Sequence, residues 1–421
     1  MREIRTGKIK GGTIAVPGSK SYSHRMAIAA GLADGKSVIY NLLDSEDTRY
    51  TLSALEQLGV FIEKSGGQVV IRGRAGRFAA ADKPVYLGNS GTSMRLLTAL
   101  AALGEGRYVF SGTERMHERP IGELLDALQQ LGIHAVSANQ NDCPPVEIVG
   151  GAIEGDTVSI DCSVSSQYLS ALLLMAPCTE NGMTIHVDHG PVSKPYVDMT
   201  VDIMEQFGIR LDRNGYTDFR IPGGQLYRSG SYTVEPDCSQ AGYFWAAGAV
   251  TGAPVTVSGV SKDCRQGDVR LAEILNAMGC RVFYCDDGIA VTGPDRLSAI
   301  DADMGDMPDL VPTLAVVAAF AEGETVIGNV AHLAEKESDR LSAVVNELKK
   351  MGVDAAKTED GIRIRGGKPH GATIATYDDH RIAMSFAVAG LVVPDIIIEN
   401  ERCVEKSFPD FWDVFERLYA P

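Results

Sequence analysis

The segment Pro17-Gly-Ser-Lys-Ser-Tyr-Ser-His-Arg25 crowds Lys20 and Arg25 among four hydroxyls, Ser19, Ser21, Tyr22 and Ser23, between a predicted strand and an apolar helix. A helix start leaves backbone N–H groups unpaired and carries roughly half a positive charge, so this composition suits an anion. Comparable groupings recur: Asn89, Gly91, Thr92 and Arg95 in "LGNSGTSMR", Ser165, Ser166 and Gln167 in "SVSSQ", Asp309 in "DMPD", and Asp379, His380 and Arg381 in "YDDHR". Connecting segments add Arg115 and Arg119, Lys194, Lys336 and Arg340, and Lys406. Arg grips carboxylate or phosphate at two points and Lys acts as a mobile charge, so the set points to ligands bearing several negative charges. One Ser-rich turn is more often a helix cap than a site, and a lone cation is usually solvated. Polar lead-ins before six apolar helices favour a site.

The elements that must position these residues are repeated. Five amphipathic helix patterns end at Gly59, Gly132, Gly208, Gly279 and Gly352, which by subtraction lie 73, 76, 71 and 73 residues apart. Each is followed by alternating, strand-like sequence, and glycine there suits a left-handed helix exit. Six Ala-rich stretches, such as "MAIAAGL" and "YFWAAGAV", are apolar all round and predict buried helices. The pattern describes an α/β chain of six units, each with a strand, a buried helix, an amphipathic helix and a strand pair, three to a domain, with the buried helices of each domain parallel. The C-terminal "FPDFWDVFERLYA" lacks its strand pair, whereas "EIRTGKIKGGTIAVPG" is a strand pair lacking a helix. Joining them predicts domains of 17–235 and of 1–16 plus 236–421, linked by a double crossover, with the site in the cleft between. A continuous solenoid is the alternative.

The totals narrow the class. The chain has 421 residues and a formal charge of −16, which disfavours nucleic acid and anionic membrane as partners while leaving room for a local cationic cluster. No apolar run reaches membrane-spanning length. The opening residues lack the pattern of a signal or transit segment, so a cytoplasmic protein is expected. Eight cysteines without C-x-x-C spacing read as reduced thiols, and no metal is expected. His186-x-Asp188-His189 and Asp378-Asp379-His380 are the weak metal alternatives.

On these segments the chain resembles the enolpyruvyl transferase family, in the branch whose acceptor is shikimate 3-phosphate. The likeness runs nearly end to end, through "PGSKSYSHR", "LGNSGTSMR", "RMHERPIG", "SVSSQYLSALL", "SKPYVDMT", "DMPD", "EKESDRL", "YDDHRIAMS" and "EKSFPDF". It implies a fold of two domains, each of three β-α-β-α-β-β units, joined by a double crossover, and transfer of a carboxyvinyl group from phosphoenolpyruvate to the 5-hydroxyl of shikimate 3-phosphate, through a tetrahedral intermediate and with release of phosphate. It also implies no cofactor and small-molecule partners only; a monomer is expected. Carried over by position, Lys20 meets both substrates. Ser21, Arg25, Ser165, Ser166, Ser193, Tyr196, His332 and Lys336 hold shikimate 3-phosphate, and Asn89, Gly91, Thr92, Arg119, Arg340, Arg381 and Lys406 hold phosphoenolpyruvate, with Gln167 between the two. Asp309 is assigned as the base toward the 5-hydroxyl, and Glu337, with Lys20 as rival, as the acid.

Three positions depart from the family pattern: His332 stands where some members have Asn, Leu96 where many have Pro, and His24 where Asn is common. Gly91 matches members sensitive to glyphosate, so sensitivity is expected. The sister reaction on UDP-N-acetylglucosamine is the nearest rival, but "GTERMHERPIG" lacks the cysteine usual there. A non-catalytic anion-binding protein is the rival from another class.

Overall fold

The computed structural model describes residues 1–151 and 153–419. Six helices are buried along nearly their whole length: Lys20–Leu32, Gly91–Ala101, Gln167–Met175, Cys238–Thr251, Val311–Ala318 and His380–Gly390. Their Ala and Gly content lets neighbours approach on all sides, which a one-faced helix could not use. The partner helices Glu46–Gln57, Gly122–Gln130, Lys194–Gln206 and Arg340–Lys350 bury one face only. The five repeated stop glycines leave their helices with φ between +77° and +101°, a conformation that a Cβ disfavours.

Contacts divide the chain into two compact units, Gly18–Val234 and Met1–Pro17 with Glu235–Pro421. The first holds three four-stranded sheets with one pattern, a parallel pair followed by two antiparallel pairs. In order these are Ser231–Thr233, Asp34–Tyr40, Gln68–Arg74 and Phe61–Ser65; Val85–Tyr86, Gly106–Ser111, Val146–Gly150 and His134–Ser137; and Thr157–Asp161, Gly182–His189, Asp218–Pro222 and Asp212–Asn214. The second unit repeats the pattern twice, with Gly12–Ala15, Val255–Ser258, Gly288–Thr292 and Arg281–Cys285, and with Asp301–Asp303, Glu324–Gly328, Ile362–Arg365 and Asp354–Lys357. Its third sheet is shortened to Thr373–Ile374, Ile397–Ile398 and Arg2–Glu3.

These pairings correct one expectation. The N-terminal strand pair does not complete the sixth repeat as a pair. Arg2–Glu3 does join that sheet, against Ile397–Ile398. Gly12–Ala15 instead takes the first, parallel place beside Val255–Ser258. Ser231–Thr233, which leads into the Cys238 helix, takes the first place beside Asp34–Tyr40. The two lead-in strands have thus changed sheets while their helices follow on in the chain. The Gly12 N–H donates to the Pro254 carbonyl at 2.9 Å, drawing this strand to its new edge. Alternation tells which face of a strand is buried; it does not tell which open edge the strand pairs with.

Each unit has its own apolar core. Both tryptophans, Trp245 and Trp412, lie in the core that also contains Ile14. Tryptophan fluorescence therefore reads the unfolding of that unit. Ile14→Ala is expected to lower its stability by about 2–5 kcal/mol, seen as a lower urea midpoint by fluorescence; an unchanged midpoint would contradict the exchanged strand.

Candidate active site

In the unit Gly18–Val234, the polar lead-ins first serve as caps. The Ser19 side chain accepts from the Tyr22 N–H and Ser90 accepts from the Ser93 N–H. That places Lys20 at the first position of its helix, where its ammonium lies 3.2 Å from an Asp47 carboxylate oxygen and both side chains are largely buried. Asp47 opens the helix Glu46–Gln57, whose N-terminal field favours a carboxylate.

Arg25 points back from the same helix. Its Nε donates to Thr200 Oγ1 at 2.7 Å, and its terminal nitrogens donate to Ser170 Oγ and to the carbonyls of Ser21 and Tyr196. All these acceptors are neutral. Burial pulls the guanidinium down to about 10, because a charge without a counter-charge loses its hydration.

Around the Gly91 helix, Arg119 donates to the backbone and side-chain oxygens of Asn89 at 3.0 and 3.1 Å. A Cβ at Gly91 would lie 2.6 Å from an Arg119 terminal nitrogen, so only glycine leaves that guanidinium where it is. Arg95 donates to Gln167 Oε1 at 2.9 Å, and Gln167 Nε2 donates to Thr92 Oγ1 at 3.0 Å. Ser165 Oγ accepts from the Gln167 N–H. Ser193, at the N-cap of Lys194–Gln206, has φ +55°, a strained conformation for a residue with a Cβ.

In the other unit, Arg340 is buried beneath three carboxylates. Its Nε donates to Asp379 Oδ2, one terminal nitrogen to Asp309 Oδ1 and the other to Glu337 Oε2, each at 2.8 Å. Burial alone would lower its proton affinity, but Asp379, Glu337 and Asp309 more than offset this and raise it above the ordinary value. Arg381 adds a 2.7 Å bond to Asp309 Oδ2 and donates to the Tyr243 hydroxyl. Asp379 also accepts from the Arg381 backbone N–H and from Ser338. Asp309, half-buried, is thus oriented by two guanidiniums, and the fully buried pair Arg340–Asp379 behind it is costly to break from one side.

Lys406 ends the 3-10 turn Glu401–Lys406 and is buried. The next residue, Ser407, bonds Gln240 and His380. Burial, then Lys336, holds the His332 imidazole down to about 3, despite the opposing pull of Asp309. Asp268 is fully enclosed, bonded to Ser239, and pushed up to about 7 by burial and then by Asp309.

Among the described residues no group of three or more His, Cys, Asp or Glu could hold a metal ion. His186 instead lies on the strand Gly182–His189, bonded through Nδ1 to Asp218 at 2.9 Å.

A family model described as EPSP synthase (3-phosphoshikimate 1-carboxyvinyltransferase) matches residues 4–415. The chain belongs to the EPSP synthase family. Members transfer the enolpyruvyl group of phosphoenolpyruvate to shikimate 3-phosphate, a step of the shikimate pathway to aromatic amino acids, and the protein is a transferase of this kind. A 3-phosphoshikimate 1-carboxyvinyltransferase from Syntrophobacter fumaroxidans is 44% identical over 407 residues, covering 96% of both chains. One from Escherichia coli O6:H1 is 43% identical over 415 residues, covering 97% of both. Among solved structures, EPSP synthase from Acinetobacter baumannii superposes with a TM-score of 0.83 at 31% identity, over 99% of this chain and 98% of that one. The enolpyruvyl transferase NikO from Streptomyces tendae has a TM-score of 0.77 at 22% identity, over 99% and 96%, and shares the fold. Among the described residues no helix is long and apolar enough to cross a membrane.

Within Gly18–Val234, hydrogen bonds link Arg25 to the Ser21 and Tyr196 backbone, Arg119 to Asn89, and Gln167 to Thr92 and Ser165. Ser166 is the buried N-cap residue of the Gln167 helix. Within the other unit Asp309, Glu337, Arg340 and Arg381 form one network; His332 is buried and Lys336 half-buried beside it. Sequence reasoning missed Asp47 and Asp268. An acidic first turn, Glu46-Asp47, was visible, but nothing tied it to Lys20, 27 residues earlier.

The depressed His332 value makes a pH prediction. The unfolded chain takes up this proton near pH 6.5, whereas the folded one does so only near 3. The stability that comes from keeping the ring neutral is therefore present above about 6.5 and drains away as pH falls toward 3. His332→Gln should flatten this acid limb by up to about 1.4 kcal/mol per pH unit, measured as urea midpoints between pH 6.5 and 5. Equal slopes in both proteins would refute it.

Proposed function

We propose that the two clusters serve one pair of substrates and carry out the transfer by addition and then elimination. Glu337 gives a proton to the methylene carbon of phosphoenolpyruvate, which makes the neighbouring carbon electrophilic. The 5-hydroxyl oxygen attacks that carbon and its proton passes to Asp309, forming a tetrahedral ketal phosphate. The bond to the phosphate oxygen then breaks, phosphate leaves with the proton that Asp309 had taken, and a methyl proton returns to Glu337 as the double bond reforms.

The observation that carries this reading is the shared guanidinium. Arg340 holds Asp309 and Glu337 on the two arms of one fork, each at 2.8 Å. Asp309, facing a second guanidinium as well, is suited to the ionised, base form. Glu337 accepts from the other arm of Arg340. The carboxylate and phosphate of the incoming substrate compete for that arm and raise the proton affinity of Glu337, which favours its acid form. Lys20, already paired with Asp47, is the rival acid.

Shikimate 3-phosphate is assigned to Lys20, Ser21, Arg25, Ser165, Ser166, Gln167, Ser193, Tyr196, Asp309, His332 and Lys336. The neutral surroundings of Arg25 support an anion there, and a neutral His332 suits a hydroxyl-bearing ring. Phosphoenolpyruvate is assigned to Lys20, Asn89, Gly91, Thr92, Arg119, Gln167, Arg340, Arg381 and Lys406, cations drawn from both units. The cations also offset the charge that builds on the intermediate. We further propose that the enzyme acts as a cytoplasmic monomer, with no nucleic acid or membrane partner.

Asp309→Ala and Glu337→Gln should each lower kcat by about 100-fold or more while both substrates still bind by calorimetry; near-normal turnover in either removes that residue from the chemistry. Gly91→Ala should displace the Arg119 guanidinium and raise KM for phosphoenolpyruvate more than it lowers kcat, and it should weaken inhibition by glyphosate. Arg381→Ala, in the other unit, should raise the same KM. If only one of the two variants does so, the substrate is not shared.

A further inference from the structure

Away from the catalytic groups, two thiols face each other where the chain passes into its second unit. Cys238 is the first residue of a buried helix, and its sulfur lies 3.3 Å from that of Cys264. A disulfide needs about 2.0 Å, so closing the gap takes a movement of about 1.3 Å. The surroundings hold the pair in register. Gln266, two residues past Cys264, donates from Nε2 to Glu235 Oε1 and to the Pro236 carbonyl, each at 2.7 Å, and its Oε1 accepts from the Cys238 N–H at 3.0 Å. The Cys264 N–H donates to the Ser261 carbonyl at 3.2 Å, which turns the loop back on itself. A cavity of about 270 Å³ is lined in part by Cys238, Gly259, Ser261, Asp263 and Cys264.

The two thiols are unequal. Cys238 is fully enclosed, and the contact with Cys264, then burial, push its thiol well above the ordinary value. Cys264 is half-buried and also lines the cavity. Reactivity follows thiolate character and access, so Cys264 is the sulfur that meets an oxidant first and Cys238 the one placed to resolve it.

We propose that Cys238 and Cys264 are a redox-active dithiol that closes to an intramolecular disulfide in the presence of a peroxide. The Cys264 thiol gives up its proton and the thiolate attacks one peroxide oxygen; an S–O bond forms, the O–O bond breaks, and the hydroxide expelled takes up that proton and leaves as water, giving a sulfenic acid. The Cys238 sulfur then attacks the Cys264 sulfur; the S–S bond forms, the S–O bond breaks, and the Cys238 proton departs with the hydroxide as a second water. Two thiols lose two electrons and the peroxide is reduced to two waters. The product ties the segment after Glu235-Pro236 covalently to the Ser261–Gln266 loop.

The test is thiol accounting by mass spectrometry on the full chain treated with hydrogen peroxide, then denatured and alkylated. The fully reduced protein takes up eight alkyl groups, one for each cysteine. The oxidised protein should take up six, show a cross-linked peptide pair joining 238 and 264, and return to eight after dithiothreitol. Cys264→Ser, on the half-buried side, should abolish the cross-link, as should Cys238→Ser. Retention of eight alkylatable thiols, a cross-link between other cysteines, or oxidation of Cys264 to the sulfinic acid without a cross-link would overturn the proposal.

Discussion

A charge that cannot reach water organises the unit made of Met1–Pro17 and Glu235–Pro421. Arg340 is buried with Asp309, Glu337 and Asp379 on its fork. Removing one partner from such an arrangement strands the others, so each group is held in place by the cost of losing the rest. Asp379 shows how far the coupling extends. One carboxylate caps the His380 helix, receives Ser338 and binds Arg340, so helix start and ion network are a single structure.

The unit Gly18–Val234 meets the same cost differently. Lys20 has Asp47, but Arg25 rests on hydroxyls and carbonyls alone. Neutral acceptors satisfy geometry without neutralising charge, and the guanidinium remains a strong attractor for an anion. One unit thus orients carboxylates that can exchange protons, while the other presents cationic charge from Arg25 without a carboxylate on its fork. The proposed reaction, which joins two anionic substrates, draws on both properties.

Small residues decide how closely these groups approach. Gly91 leaves room for Arg119 because any Cβ would overlap its guanidinium. Ser193 is held in the left-handed region although it carries a Cβ, a strain that the surrounding helix start must hold in place. The buried helices behind these loops keep such positions from relaxing, since closely packed interiors transmit small displacements instead of absorbing them.

Much of this was legible in residue order. The even spacing of the stop glycines counted the repeats, and apolar stretches without a polar face marked the buried helices, because both follow from local backbone and solvation preferences. Polar lead-ins marked the residues proposed for the site for the same local reason. What order could not contain was pairing at a distance. Gly12–Ala15 and Ser231–Thr233 alternate as strands should, yet their sheets were decided by which backbone edges lay open after folding. Asp47 beside Lys20, the bonds of Arg25 to Thr200, Ser170 and Tyr196, and Cys238 against Cys264 are likewise contacts between residues 26 or more positions apart in the chain. Residue type and spacing determined which groups could act; only the tertiary structure decided which would meet, because hydrogen bonds and ion pairs depend on distances that close when the chain folds.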